Sequence, residues 1–98
     1  RAPGMLASHY APRCEVRLTE SPADAERVRS TLSATGRLVE VLDTRPDLVE
    51  SARRLYGWLR SADARGIDAL VVVLPEPHGL GVAVRDRLMK AAAPRPAG

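Results

Sequence analysis

Residues 69–74, Ala-Leu-Val-Val-Val-Leu, form the longest uninterrupted apolar run of this chain. Six residues is a common strand length, and three successive β-branched valines favour a strand over a helix. A strand without a polar face must be covered on both sides, as strands in parallel sheets are. The run is therefore predicted to be the central strand of a parallel sheet.

Shorter apolar stretches alternate with segments of helical period on both sides of this run. Strands are predicted at residues 14–18 and 37–42, and helices at residues 22–34 and 47–65, with a third helix that Pro94 closes. The order βαβαβα predicts a small Rossmann-like α/β domain with a mainly parallel sheet, in two or three layers. The residues expected to face the sheet are Ala25, Val28, Leu32, Leu48, Ala52, Leu55, Leu59, Ala62, Val84, Leu88 and Ala91.

Local signals predict where the helices begin and end. Ser21 is a suitable N-cap and Pro22 fits the first helical position, where its missing N–H costs nothing. Gly36 and Gly66 follow the first two helices and can adopt the left-handed conformation that ends a helix.

The composition sets limits on function. The 98 residues fit one small domain, and the net charge of +3 is scattered over 14 Arg and one Lys against 12 acids. Three aromatic residues are too few for a stacking surface that binds single-stranded nucleic acid. One cysteine and two histidines predict no internal disulfide and no metal site. No apolar run is long enough to span a bilayer, so no membrane contact is expected, and the single cysteine fits a reducing cytoplasm.

Three regions are predicted along the chain. Residues 1–13 contain two prolines and no periodic pattern, and form an arm or linker; residues 14–93 form the Rossmann-like domain; residues 94–98 form a disordered tail. Because the sequence begins at Arg1 without a methionine, it is expected to be part of a longer protein.

The arm combines proline-fixed backbone with hydrogen-bonding side chains. Pro3 and Pro12 restrict the chain, and His9 and Tyr10 offer an imidazole and a phenol between them. Such a segment fits either an arm that docks in a groove or a stiff spacer, and physical arguments alone favour neither.

A second candidate site is a glycine-bearing turn before the last helix. Helix N-termini bind phosphate, so Gly79, Gly81, Arg85 and Arg87 are candidate anion-binding residues. Val84 stands where a full dinucleotide-binding motif needs a third glycine. The alternative interpretation is a plain tight turn, with the arginines solvated or paired with a carboxylate such as Asp86 or Glu76. No catalytic nucleophile and base are arranged at an interpretable spacing.

Three motifs resemble one enzyme family, the two-domain threonylcarbamoyl-AMP synthases. Residues 2–12, Ala-Pro-Gly-Met-Leu-Ala-Ser-His-Tyr-Ala-Pro, resemble the family's linker motif Ser-Pro-Gly-Met-Lys-x-Arg/Lys-His-Tyr-x-Pro. Residues 55–63, Leu-Tyr-Gly-Trp-Leu-Arg-Ser-Ala-Asp, resemble its helix Leu-Tyr/Phe-x-x-Leu-Arg-x-x-Asp. Residues 79–88, Gly-Leu-Gly-Val-Ala-Val-Arg-Asp-Arg-Leu, resemble its closing Gly-x-Gly-x-Ala-x-x-Asn-Arg-Leu element.

The resemblance implies that the chain is the linker and C-terminal domain of such a synthase, a nucleotidyltransferase that makes threonylcarbamoyl-AMP from ATP, threonine and bicarbonate for tRNA adenosine modification. The N-terminal synthase domain, absent here, is then the partner, so this chain alone is expected to be inactive and to carry no cofactor; ATP, with Mg²⁺, belongs to the parent enzyme. The linker is expected to enclose ATP or threonylcarbamoyl-AMP, and tRNA is a further candidate partner. The linker residues carried over are Pro3, Gly4, Met5, His9, Tyr10 and Pro12.

The chain departs from the family pattern at four positions. Leu6 and Ser8 replace the usual basic residues, which removes any phosphate contact from those two positions, and Ala2 and Asp86 replace serine and asparagine. Two other hypotheses remain open: a stand-alone module that binds a nucleotide or RNA phosphate at the glycine turn, and a structural dimerisation domain.

Overall fold

The computed structural model describes residues 11–93 of the chain. The elements follow the predicted βαβαβα order: β1 (Glu15–Thr19), α1 (Pro22–Ser33), β2 (Val39–Asp43), α2 (Leu48–Ala64), β3 (Ala69–Val73) and α3 (Leu80–Ala92). None of the helices in this part of the chain has the length and apolarity of a bilayer-spanning segment.

The three strands form one parallel sheet in the order β1-β3-β2. The prediction that the valine run is the central strand is confirmed, since β3 pairs with both neighbours and all five of its residues are buried. In register, Arg17 and Val41 flank Val71.

The outer strands start later than predicted. The strand predicted from residue 14 begins at Glu15, because the backbone N–H of Cys14 donates to the carboxylate of Asp63 and not to the sheet. The strand predicted from residue 37 begins at Val39, because the N–H of Leu38 donates to the carboxylate of Asp68. Side chains thus take the place of strand pairing at these two starts.

The domain has three layers, which decides between the two predicted arrangements. On one face of the sheet, α1 contributes Ala25 and Leu32 to a cluster with Ala69, Val71 and Val73. On the other face, α2 and α3 pack around the opposite side chains of the sheet. That larger cluster consists of Val16, Leu55, Leu59, Leu70, Val72, Leu74, Val84, Leu88 and Ala91.

The predicted helix ends are confirmed. The hydroxyl of Ser21 accepts the N–H of Asp24, with Pro22 at the first helical position. Gly36 and Gly66 follow α1 and α2 with φ of 86° and 74°, in the left-handed region that glycine adopts without a Cβ penalty.

Candidate functional site

The two candidate sites lie at opposite ends of the sheet. The carboxyl edge, where the strands end, carries the glycine turn between β3 and α3, whereas the amino edge, where they begin, receives the arm at β1. A five-residue strand separates the two edges by about 13 Å. The arm and the glycine turn therefore do not form one composite site within residues 11–93.

The glycine turn is shaped by backbone requirements. Gly79 has φ 60° and ψ −138°, which L side chains rarely adopt. A Cβ on Gly81 would lie 2.0 Å from the carbonyl oxygen of Glu76. The N–H groups of Gly81 and Val82 already donate to the carbonyls of His78 and Gly79, at 3.1 Å each. These features support the tight-turn interpretation, because two first-turn donors of α3 already have partners.

Arg85 bridges α3 and the loop after β1. Its guanidinium donates to both carboxylate oxygens of Glu20, at 3.0 and 2.9 Å, and to the carbonyl of Pro75 at 2.8 Å. The alternative interpretation, in which Arg85 pairs with a carboxylate, is observed here, but the acid is Glu20, 65 residues away in sequence, and not Asp86 or Glu76. The hydrogen bond from Arg85 holds the pKa of Glu20 below its usual range.

The other charged side chains at the carboxyl edge are either paired with a carboxylate or directed away from Arg85. Arg45 donates to both oxygens of Asp43, at 2.9 and 2.8 Å, and this hydrogen bonding lowers the pKa of Asp43. His78 lies 2.9 Å from Glu76. Arg87 is half-buried two residues after Arg85 on α3, a spacing that sends two helical side chains in different directions. An incoming phosphate would have to compete with carboxylates already in place.

Two buried threonines at the carboxyl edge donate their hydroxyls to carbonyl groups of β3. The hydroxyls of Thr19 and Thr44 donate to the carbonyls of Val72 and Val73, each at 2.8 Å. The carbonyl of Thr44 accepts the hydroxyl of Ser51 on α2, which is also buried. These groups are satisfied within the fold, so none is available to orient a ligand.

The amino edge fixes residues 12–14, which join the arm to β1 and are called the arm base below. Pro12 is buried, and the carboxylate of Asp63 accepts the N–H of Arg13 at 3.1 and 2.9 Å and the N–H of Cys14 at 2.9 Å. We call these interactions the Asp63 contact. Of the predicted linker residues, Pro12 is in the described part of the chain, whereas Pro3, Gly4, Met5, His9 and Tyr10 lie outside it.

Asp63 is the last residue of one of the three family motifs, but its contact with the arm base was not predicted from the sequence. The residue lies in the last turn of α2, where the helix macrodipole is negative and a carboxylate is unfavourable. An acid in that position is a signal that its carboxylate can serve something outside the helix. Here its carboxylate accepts the N–H groups of Cys14 and Arg13, which lie just before β1 and 49 and 50 residues earlier in the sequence.

No metal centre is indicated by the described part of the chain. Among residues 11–93, no group of three or more His, Cys, Asp and Glu side chains could bind a metal ion. The side chain of Cys14 is half-buried against the larger core cluster.

Comparison with known families identifies the domain. The family model "Threonylcarbamoyl-AMP synthase, C-terminal domain" matches residues 1–93, so it covers the arm as well as the folded part. The chain belongs to this family. The synthase resemblance of the three motifs is thereby confirmed.

Curated relatives of this C-terminal domain are whole synthases. The chain is 35% identical to the threonylcarbamoyl-AMP synthase of Pyrococcus abyssi, over 97% of this chain and 33% of the relative. It is 33% identical to the Bacillus subtilis synthase, over 96% of this chain and 32% of the relative. The chain thus spans about a third of the length of these relatives. The alignments, over 111 and 112 residues, exceed the 98 residues here, so the relatives carry segments that this domain lacks.

Solved structures share the fold of the synthase C-terminal domain. The crystal structure of P. abyssi Sua5 complexed with L-threonine matches 86% of this chain and 29% of that one, with a TM-score of 0.77 and 31% identity. The C-terminal Sua5 domain of a hypothetical Pyrococcus horikoshii protein matches 79% of this chain and 91% of that one, with a TM-score of 0.62 and 27% identity. A P. abyssi Sua5 variant, with a consecutive histidine and tyrosine replaced by alanine, has a TM-score of 0.71 and 28% identity over 83% of this chain and 28% of that one.

Proposed function

We propose that this chain is the regulatory, pocket-closing part of a threonylcarbamoyl-AMP synthase. Its arm encloses ATP or threonylcarbamoyl-AMP in the pocket of an N-terminal synthase domain, and its folded domain fixes the arm. The parent enzyme acts in the cytoplasm on ATP, with Mg²⁺, threonine and bicarbonate, and its product serves the modification of adenosine in tRNA.

The observation that carries this proposal is the continuity of the arm with the domain. The family match begins at residue 1, so the arm belongs to the family pattern and is not an unrelated spacer. The fold then binds the arm base through buried Pro12 and the Asp63 contact. A linker that serves only as a tether has no need of a fixed point of departure.

The residues of the arm suit an enclosing role. Two prolines reduce the backbone entropy lost when the arm docks, and His9 and Tyr10 supply directional hydrogen bonds. The sequence contains one consecutive histidine and tyrosine, His9 and Tyr10. The P. abyssi Sua5 variant also has a consecutive histidine and tyrosine replaced. Covering the pocket also excludes water, which protects an acyl phosphate product from hydrolysis.

The carboxyl edge supports binding of the nucleotide less well. Glycine is required in its turn by the positive φ of Gly79 and by the close approach of Gly81 to Glu76. Arg85 is bound to Glu20 and to the carbonyl of Pro75. Nucleotide or RNA phosphate binding at Gly79–Arg87 is therefore the competing outcome of the test below.

The test is the ATP turnover of a fusion of these 98 residues to the N-terminal part of the P. abyssi synthase, referred to below as the fusion. We expect the C-terminal part to change turnover relative to the N-terminal part alone, and Tyr10→Ala to reduce that change about tenfold, the factor for about 1.4 kcal/mol of lost hydrogen bond and ring contact.

Ser8→Ala is the matched control, because Ser8 departs from the basic residue of the family motif and should have little effect. Equal turnover with and without this chain would contradict the proposal. ATP binding to the isolated chain that Arg85→Ala weakens would favour the phosphate-binding module instead.

A further inference from the structure

We propose that Asp63 is a positioning residue that sets the direction in which the arm leaves the domain. The structural part of this proposal stands on the Asp63 contact alone, and its consequence for activity rests on the proposed function. Asp63 acts through the backbone of the arm base and touches no substrate.

The contact removes rotational freedom at the junction between arm and strand. One carboxylate accepts two successive backbone N–H groups, those of Arg13 and Cys14, at 2.9 to 3.1 Å. The next N–H, of Glu15, donates to the carbonyl of Asp68 at 3.0 Å. Pro12 has no N–H, a fixed φ and a buried ring. Four consecutive residues are thus fixed, so the chain can only begin to diverge before Pro12.

The location of Asp63 indicates a purpose outside α2. A carboxylate in the last turn of a helix opposes the macrodipole, so the dipole of α2 does not explain an acid at this position. Strand β1 is itself aligned by pairing with β3 over its whole length, from Glu15 to Thr19. The Asp63 contact therefore does not align β1 but fixes the direction of the backbone just before this strand.

A fixed departure should matter for closure of the pocket. If the arm leaves the domain in many directions, only a fraction of its conformations lies over the nucleotide, and the apparent affinity falls by that fraction. Loss of Asp63 should therefore raise the KM for ATP of the fusion. The kcat at saturating ATP should stay the same, because saturation selects the closed arm.

The first test uses the 98-residue chain and measures amide hydrogen exchange at Arg13 and Cys14 by NMR. Exchange should be about tenfold faster or more in Asp63→Ala, with Asp63→Asn between the two because its amide oxygen still accepts. Asp86→Asn is the control, since Asp86 is exposed on α3 and forms an ion pair with Lys90 four residues on, away from the arm base. Unchanged exchange at Arg13 and Cys14 in Asp63→Asn and Asp63→Ala would overturn the proposal.

The second test measures KM and kcat for ATP in the fusion. Asp63→Ala should raise KM several-fold at constant kcat, with Asp63→Asn in between and Asp86→Asn unchanged. A fall in kcat at constant KM would indicate a merely structural role and would overturn the proposal.

The two tests separate this inference from the proposed function. An unchanged KM in Asp63→Ala, in a fusion that Tyr10→Ala impairs, overturns the positioning role and leaves the enclosing arm intact. Unchanged kinetics in both variants overturn the proposed function and, with it, the expected effect of Asp63 on activity, whereas the exchange rates at Arg13 and Cys14 decide whether Asp63 fixes the arm base.

Discussion

Replacing Gly81 by alanine is expected to destabilise the domain by about 3 kcal/mol, the upper part of the range for overpacking a tight site. The new Cβ would lie 2.0 Å from the carbonyl oxygen of Glu76 and 3.3 Å from its carbonyl carbon. Both are backbone atoms, so neither can swing aside like the end of a side chain. Either the loop after β3 or the first turn of α3 must move. The urea midpoint of the purified chain measures the loss.

Gly57→Ala is the matched control for this substitution. Gly57 lies inside α2, and its added Cβ would meet nothing within 4 Å. Alanine there should stabilise the domain by about 0.5 to 1 kcal/mol through helix propensity. Equal effects of the two alanines would show that the close approach to Glu76 does not shape the turn.

Leu55→Ala is expected to lower stability by about 3 kcal/mol. Leu55 is fully buried on α2, and it belongs to the cluster that joins α2 and α3 to the sheet. The substitution removes apolar contacts and leaves a cavity that a three-layer domain closes only in part. For a chain of this size, the loss corresponds to a fall in melting temperature of roughly 15 °C, measured by circular dichroism.

Val49→Ala tests whether burial is the cause. Val49 is on the same helix and 69% exposed, so its truncation should change stability by about 0.5 kcal/mol or less. A loss for Leu55→Ala as small as this would contradict the packing of α2 described above.

The fold was largely predictable because its signals are local. Three successive valines without a polar face identify a strand covered on both sides, and Ser21 with Pro22 marks a helix start. The order of the outer strands was not predictable. Hydrophobic pattern shows that a strand is buried, but not which strand lies beside it. The strand starts were misplaced because two carboxylates, Asp63 and Asp68, replace ladder hydrogen bonds there.

The candidate sites were less predictable because their decisive contacts span the chain. The glycines of the turn were visible, but the approach of Gly81 to Glu76 depends on the angle at which α3 leaves β3. The pairing of Arg85 with Glu20 joins residues 65 apart in sequence. Asp63 carried a signal, an acid at the unfavourable end of a helix, whose partner only the folded chain identifies.

The most direct test of the enclosing arm is hydrogen–deuterium exchange of the fusion with and without ATP and L-threonine. If the arm encloses the nucleotide, exchange slows in peptides from residues 3–10 when the nucleotide is bound and does not change in residues 79–87, where Arg85 stays paired with Glu20. Slower exchange confined to residues 79–87, with the arm unaffected, would contradict the enclosing arm and would indicate that the nucleotide binds at the glycine turn.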